Sequence, residues 1–323
     1  MARKIQGLVI VLLAVAAGGC CKERCHSDNK EGERMNGGKA ASAPVESKSG
    51  VIAAGAKVEK LAGGFKFTEG ASVDAEGNVF FTDQPNDKIY RWSIDGKLSM
   101  FPEKTERSNG LYFDRNGDIL SCADLNNRLI SIDPKGRITV LVDGFNGKLL
   151  NGPNDLWGDP KGGIYFTDPY YERDYWDPNH AKQQDGEHVY YLKPGRKTLI
   201  RVTDDLVRPN GIVGTPDGKM LYVADIGADR TYRYKINKDG TLSDKKLFVL
   251  LGSDGMTLDN EGNVYLTGKG VTVFNAAGEK IEHIDIDAGW TANICFGGID
   301  RKTLFITAQE SLYAIKMRVK GVE

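Results

Sequence analysis

From about residue 58 onward, short apolar runs alternate with polar turns on a steady beat. "SDGMTLDNEGNVYLTG" (Ser253–Gly268) shows the unit: a polar residue, a short strand, a glycine-bearing turn and a second strand. "TEGASVDAEGNVFFTD", "SNGLYFDRNGDILSCAD", "PNDLWGDPKGGIYFTD" and "PNGIVGTPDGKMLYVAD" repeat it, and "NICFGGIDRKTLFITAQ" is a weaker sixth copy. The polar slot is filled in turn by Glu69, Asn109, Asn154, Asn210, Asp254 and Asn293. In every copy the turn position follows the slot by 8 residues. Apolar runs this short, bounded by Gly and Asn/Asp turns, predict strands.

Successive slots lie 39 to 56 residues apart. A period near forty, with later strands such as "KIYRWSI", "RLISIDP" and "HVYYLKP", predicts an all-β, six-bladed β-propeller over residues 56–320. The last copy has room for one further strand, "SLYAIKMRV", so "AKVEKLAGG" before the first copy is expected to supply the missing outer strand and close the ring. The longest interval contains an insertion, Asp168 to His188, predicted to form a loop at one mouth and to act as a binding wall. Tyr170 and Tyr171 at its start are candidate substrate contacts.

The ends and the composition add a second layer. The net charge is −1, which gives no electrostatic footprint for nucleic acid. "MARK" followed by a short apolar stretch and "AVAAGGC" predicts an export signal over residues 1–20, with Cys20 as a lipidation site. Residues 21–55 are polar and small and are expected to be a flexible linker. The expectation is an exported, periplasmic protein, lipid-anchored to a bacterial membrane, otherwise free of membrane contact, and monomeric. Cys122 and Cys295 fall in apolar strand patterns and are expected to be buried free thiols. No CxxC pair has zinc spacing, and no G-x-S-x-G elbow occurs. His180, His188 and His283 are expected at the surface.

In a propeller, the innermost strand of each blade lines the axis, so the slot residues should form a ring of oxygens. Carboxylates and amides without thiol or imidazole suit a hard divalent cation, Ca²⁺ first, then Mg²⁺, with Zn²⁺ last. The alternative is that Asn-Gly and Asp-Gly are ordinary turn dipeptides. Glu69 and Asn154 do not fit that alternative.

The motifs "TEG", "PNDLWGDPKGGIYFTDP", "RPNGI" and "SDGMTLDNEGNVYLT" together resemble the senescence-marker-protein-30/gluconolactonase/luciferin-regenerating-enzyme family, and "GGIYFTDPYY" resembles its bacterial gluconolactonase branch. The resemblance implies that Glu69, Asn154, Asn210 and Asp254 are metal ligands, with Asn154 closest to the substrate; Asn109, in the same ring, is a further candidate substrate contact. It also implies hydrolysis of a small lactone or ester, gluconolactonase-like, from a sugar lactone to an aldonic acid. Asp254 is then the catalytic candidate, as general base or nucleophile. Some members carry an arginine two residues before the blade-three asparagine, for sugar recognition. Gly152 stands there in this chain. A related esterase or organophosphate hydrolase, or a propeller that only binds, is the alternative function, since the fold alone hosts all of these.

Overall fold

The computed structural model describes residues 50–177 and 181–322. Cys20, the expected export signal, residues 21–49 of the linker and His180 lie outside the described residues. The strands assemble into six antiparallel four-stranded sheets, each a blade. The innermost strands are Thr68–Val73, Ser108–Phe113, Leu156–Gly158, Pro209–Gly214, Met256–Leu258 and Asn293–Gly297. Each adjoins the innermost strand of the next blade, and the first adjoins the last, so the ring closes.

Burial grades outward within a blade. The first two strands of blade one, Thr68–Val73 and Val79–Asp83, are buried throughout. The outermost strand of blade two, Ile138–Val142, is largely exposed. Second strands such as Val79–Asp83 (VFFTD) and Ile119–Ala123 (ILSCA) therefore read as nearly continuous apolar runs, because neighbouring blades cover both of their faces. Blades three and four show the packing. Tyr165 stacks on Tyr191 at a centroid distance of 4.2 Å, and both join Trp157, Val213 and Leu221 in one buried cluster.

The hairpin turns work as their residues dictate. In "DPKGG", the Asp159 carboxylate accepts the amides of Lys161 (2.7 Å) and Gly163 (2.8 Å), an aspartate turn that fixes the hairpin. Closure is as the pattern predicts. Glu59–Gly63 pairs antiparallel with Ser311–Lys316 and becomes the outer strand of blade six. The folded body begins earlier than expected, however. Val51 and Ile52, placed in the linker by composition, are buried, and Ile52 bridges to Met317. An apolar pair in a polar stretch gave too weak a signal. Cys122 and Cys295 are both buried, as expected.

Candidate active site

The starts of the innermost strands meet at one mouth around a cavity of about 290 Å³. Glu69, Asn109, Asn154, Asn210 and Asp254 line it, together with Phe67, Gln84, Tyr171, Arg173, Ile226 and Trp290. All five slot residues are buried or nearly so, and two are carboxylates.

How the chain aims these side chains is visible in the ladder. In blade three the Asn154 amide donates to the Thr167 carbonyl (2.9 Å), and the Asp155 amide to Thr167 Oγ1 (3.1 Å). Two consecutive residues thus oppose one, and such an irregularity re-aims a side chain out of the pleat. Blades one, two and four show the same register shift just past Glu69, Ser108 and Pro209.

Glycine follows the slot in four blades because the next blade's backbone comes close. A Cβ on Gly70 would lie 2.0 Å from the Asn109 carbonyl oxygen, and Gly70 has φ +53. A Cβ on Gly110 would lie 2.5 Å from the Asn154 carbonyl oxygen, which accepts the Gly110 amide at 2.8 Å. A Cβ on Gly211 would likewise lie 2.6 Å from the Asp254 carbonyl oxygen, and one on Gly255 2.4 Å from the Asn293 side chain, so the Asn-Gly and Asp-Gly pairs of the slots are blade contacts rather than turns.

The sixth slot differs from expectation. In blade six it is Ala292 whose amide donates to the Thr307 carbonyl (2.9 Å), while the Asn293 amide donates to Thr307 Oγ1 (2.9 Å). Asn293 therefore matches Asp155, and Ala292 holds the channel position. Asn293 Oδ1 accepts the amide of Ile294 at 2.8 Å, and the side chain does not line the cavity. Counting eight residues back from the turn misplaces the slot here because this hairpin has one more residue pair between turn and threonine than that of blade three.

The electrostatics of the cavity are unbalanced. Glu69 is held well above its ordinary carboxyl range, by burial first and then by the charges of Asp254 and Asp155. Burial pushes Asp254 up to about 6, against the lowering effect of hydrogen bonds from Trp290 and Asn210 and of the Arg173 charge. Trp290 Nε1 donates to Asp254 Oδ2 at 2.6 Å. Asn210 Nδ2 donates to the Tyr171 hydroxyl at 3.0 Å, and burial pushes that phenol up to about 12, so it stays protonated. Asn109 Oδ1 and Asn210 Oδ1 are buried and accept no hydrogen bond. Two crowded carboxylates and the orphaned amide oxygen of Asn210 around one cavity form a donor set that fits a hard cation, and the Asn109 oxygen beside them is open to a second ligand. The cavity lining has oxygen-bearing side chains and neither histidine nor cysteine, which suits an ion that prefers oxygen over nitrogen or sulfur.

Other expectations fall elsewhere. Tyr170 does not line the cavity; its ring packs on Trp176 at 5.8 Å. His188 is buried rather than on the surface, with Nε2 2.8 Å from Asp185 Oδ1, and lies outside the cavity. His283 is half-buried, its Nδ1 3.0 Å from Thr272 Oγ1. Gln84 and Ile226 were missed by sequence reasoning. Both directly follow the aspartate that ends a second strand, Asp83 and Asp225, so the repeat could have located them. Trp290 and Arg173 come from segments that do not repeat. A larger cavity, about 470 Å³, opens at the opposite mouth among the hairpin turns.

The model of the SMP-30/gluconolactonase/LRE-like region matches residues 67–310. The chain is 28% identical over 294 residues to a gluconolactonase from Zymomonas mobilis, covering 82% of each. A solved gluconolactonase from Xanthomonas campestris matches with a TM-score of 0.79 at 25% identity, over 86% of this chain and 96% of that one. A calcium-binding regucalcin from Agrobacterium tumefaciens, at 19% identity and a TM-score of 0.68, shares the fold over 81% of this chain and 94% of its own.

Proposed function

Because the chain belongs to the SMP-30/gluconolactonase/LRE-like family, we propose that it is a hydrolase that opens the ring of a small lactone in the axial cavity. The relatives from Zymomonas and Xanthomonas carry the name gluconolactonase, which favours a sugar lactone as substrate and an aldonic acid as product. The observation that carries the proposal is the convergence of Glu69, Asn109, Asn154, Asn210 and Asp254 on one small cavity with unsatisfied oxygens.

Glu69, Asn154, Asn210 and Asp254 would hold a divalent cation, Ca²⁺ by their all-oxygen chemistry. Such an ion supplies Lewis acidity toward a carbonyl and offsets the charge of the two carboxylates. Trp290 and Asn210 fix the Asp254 carboxylate, so it is oriented before substrate arrives. Asp254 accepts the proton of the attacking water, for which a carboxyl raised toward neutrality is better suited than an ordinary one. Asn109, in the same ring but outside the ligand set, presents its unsatisfied Oδ1 to accept a substrate hydroxyl. Phe67, Ile226, Tyr171 and Trp290 wall the cavity and limit the access of further water.

The N-terminal segment belongs to the same proposal, as the export signal and the lipid anchor at Cys20. Two assays test the function together: metal content of the purified full chain, and pH-stat hydrolysis of glucono-δ-lactone with and without a chelator. Hydrolysis above the spontaneous rate that stops on chelation and returns with Ca²⁺ is expected. A metal-free protein that hydrolyses no lactone contradicts the proposal.

A further inference from the structure

Three blades end their second strand with an aspartate that clasps two amides just ahead of the slot. Asp83 accepts the amides of Lys66 (3.0 Å) and Phe67 (3.2 Å). Asp168 accepts those of Asn151 (3.0 Å) and Gly152 (2.9 Å), and Asp225 those of Val207 (2.9 Å) and Arg208 (2.8 Å). In blade two, Asp124 stands at the corresponding place. There the amides of Thr105 and Arg107 are taken by Asp87, at 2.9 and 2.7 Å.

Asp124 is turned to the insertion instead. Its Oδ2 accepts Arg173 Nε (2.6 Å), the Tyr175 hydroxyl (2.8 Å) and Gln84 Nε2 (3.1 Å), and its carbonyl accepts Trp176 Nε1 (2.9 Å). The Asp124 side chain is only 3% exposed, so these bonds form away from competing water. The Arg107 guanidinium sits 4.0 Å from the Tyr175 ring centroid and secures the same segment from outside. Gly152 lies against this latch. A Cβ there would be 3.0 Å from Asp124 Oδ1 and 3.5 Å from Trp176, so the latched insertion occupies the space a larger side chain at 152 would enter.

Arg173, held in this way, lines the axial cavity and acts electrostatically on both Glu69 and Asp254. Asp124 engages its Nε, and the remaining donors of the planar fork are the two terminal amino groups. We propose that Arg173 is the specificity-determining residue of the cavity, donating to hydroxyl oxygens on the lactone ring, and that Asp124 is its positioning residue. The inference rests on the lactone-hydrolase assignment and adds to it the side chain that separates a hydroxylated ring from a bare one. A site built to bond a hydroxyl discriminates strongly against the analogue that lacks it.

The test compares glucono-δ-lactone with unsubstituted δ-valerolactone in the full chain at saturating Ca²⁺. Arg173→Ala should lower kcat/KM on glucono-δ-lactone by roughly 10–100-fold, mostly through KM, as expected for loss of a charge-assisted bond. Its loss on δ-valerolactone should be several-fold smaller, and Ca²⁺ binding measured by calorimetry should persist. Arg173→Lys should recover part of the preference. Asp124→Ala should follow Arg173→Ala, and the double variant should be no worse than either, because the two act as one unit.

Equal losses on both lactones overturn the specificity role, and additive losses in the double variant overturn the latch. A wild type active on both lactones but indifferent to Arg173→Ala overturns this inference alone. A wild type inactive on both overturns the lactone-hydrolase assignment and, with it, the inference.

Discussion

Aspartates line both mouths of the propeller, but they are treated in opposite ways. At the turn mouth, Asp159 accepts the Tyr191 hydroxyl (2.5 Å) and two backbone amides, and Asp114 pairs with Arg196 (2.6 Å) while accepting amides of its own turn. At the slot mouth, Glu69 and Asp254 crowd each other in a buried cavity beside amide oxygens that accept nothing. The larger cavity belongs to the satisfied mouth and the smaller to the unsatisfied one. Polar groups that are buried without compensation cost stability, so their persistence marks a place where something else is to be bound. Volume alone points to the wrong end of the molecule.

The sharpest break in this comparison is a pair of matched substitutions. Asp254→Asn keeps the shape but loses the proton acceptor, and turnover at saturating Ca²⁺ should fall by about 10²–10⁴-fold. Asp159→Asn, at the other mouth, should leave turnover little changed and instead lower unfolding stability by roughly 1–3 kcal/mol, as a buried hydrogen-bonded group is compromised. Steady-state kinetics and denaturant melts of both variants decide the matter. Asp254→Asn with near wild-type turnover would remove Asp254 from the chemistry.

A smaller effect appears in the pH dependence of the metal-stripped protein. Asp254 is raised to about 6 and Asp168 to about 7, so the folded state holds protons that the unfolded chain has already lost. Their stabilising contribution is present at acid pH and is lost as pH rises from about 4, the ordinary carboxyl value, through 6 for Asp254 and 7 for Asp168. Melting temperature should therefore fall between pH 5 and 8 without cation. Saturating Ca²⁺ should remove the Asp254 part of the slope, leaving that of Asp168. A slope that ignores Ca²⁺ would separate Asp254 from any cation.

The smallest expected effect is Asn109→Ala. Asn109 shares the ring but lies outside the proposed ligand set, so KM should rise while Ca²⁺ affinity persists. Equal loss of Ca²⁺ would enlarge the ligand set to include Asn109.

Most of the fold was legible because its signals are local. An aspartate–glycine turn eight residues past each slot fixes a hairpin by itself, and five slots gave five cavity-lining side chains. The sixth did not, because Thr307 rather than the turn decides which residue of blade six faces the axis. Asp124 illustrates the same limit. Its place in the repeat was readable, but its partners Arg173 and Tyr175 come from an insertion with no period, and only the fold brings them within reach. Tyr170 was placed with Tyr171 by adjacency alone, yet only Tyr171 lines the cavity.

Calorimetric titration of Ca²⁺ into the metal-stripped full chain, alongside Glu69→Gln and Asp159→Asn, tests the contrast between the mouths most directly. One cation per chain should bind to wild type and to Asp159→Asn, with much weaker binding to Glu69→Gln. Absence of binding to wild type, or binding that survives Glu69→Gln unchanged, contradicts the assignment of the cation to the slot mouth.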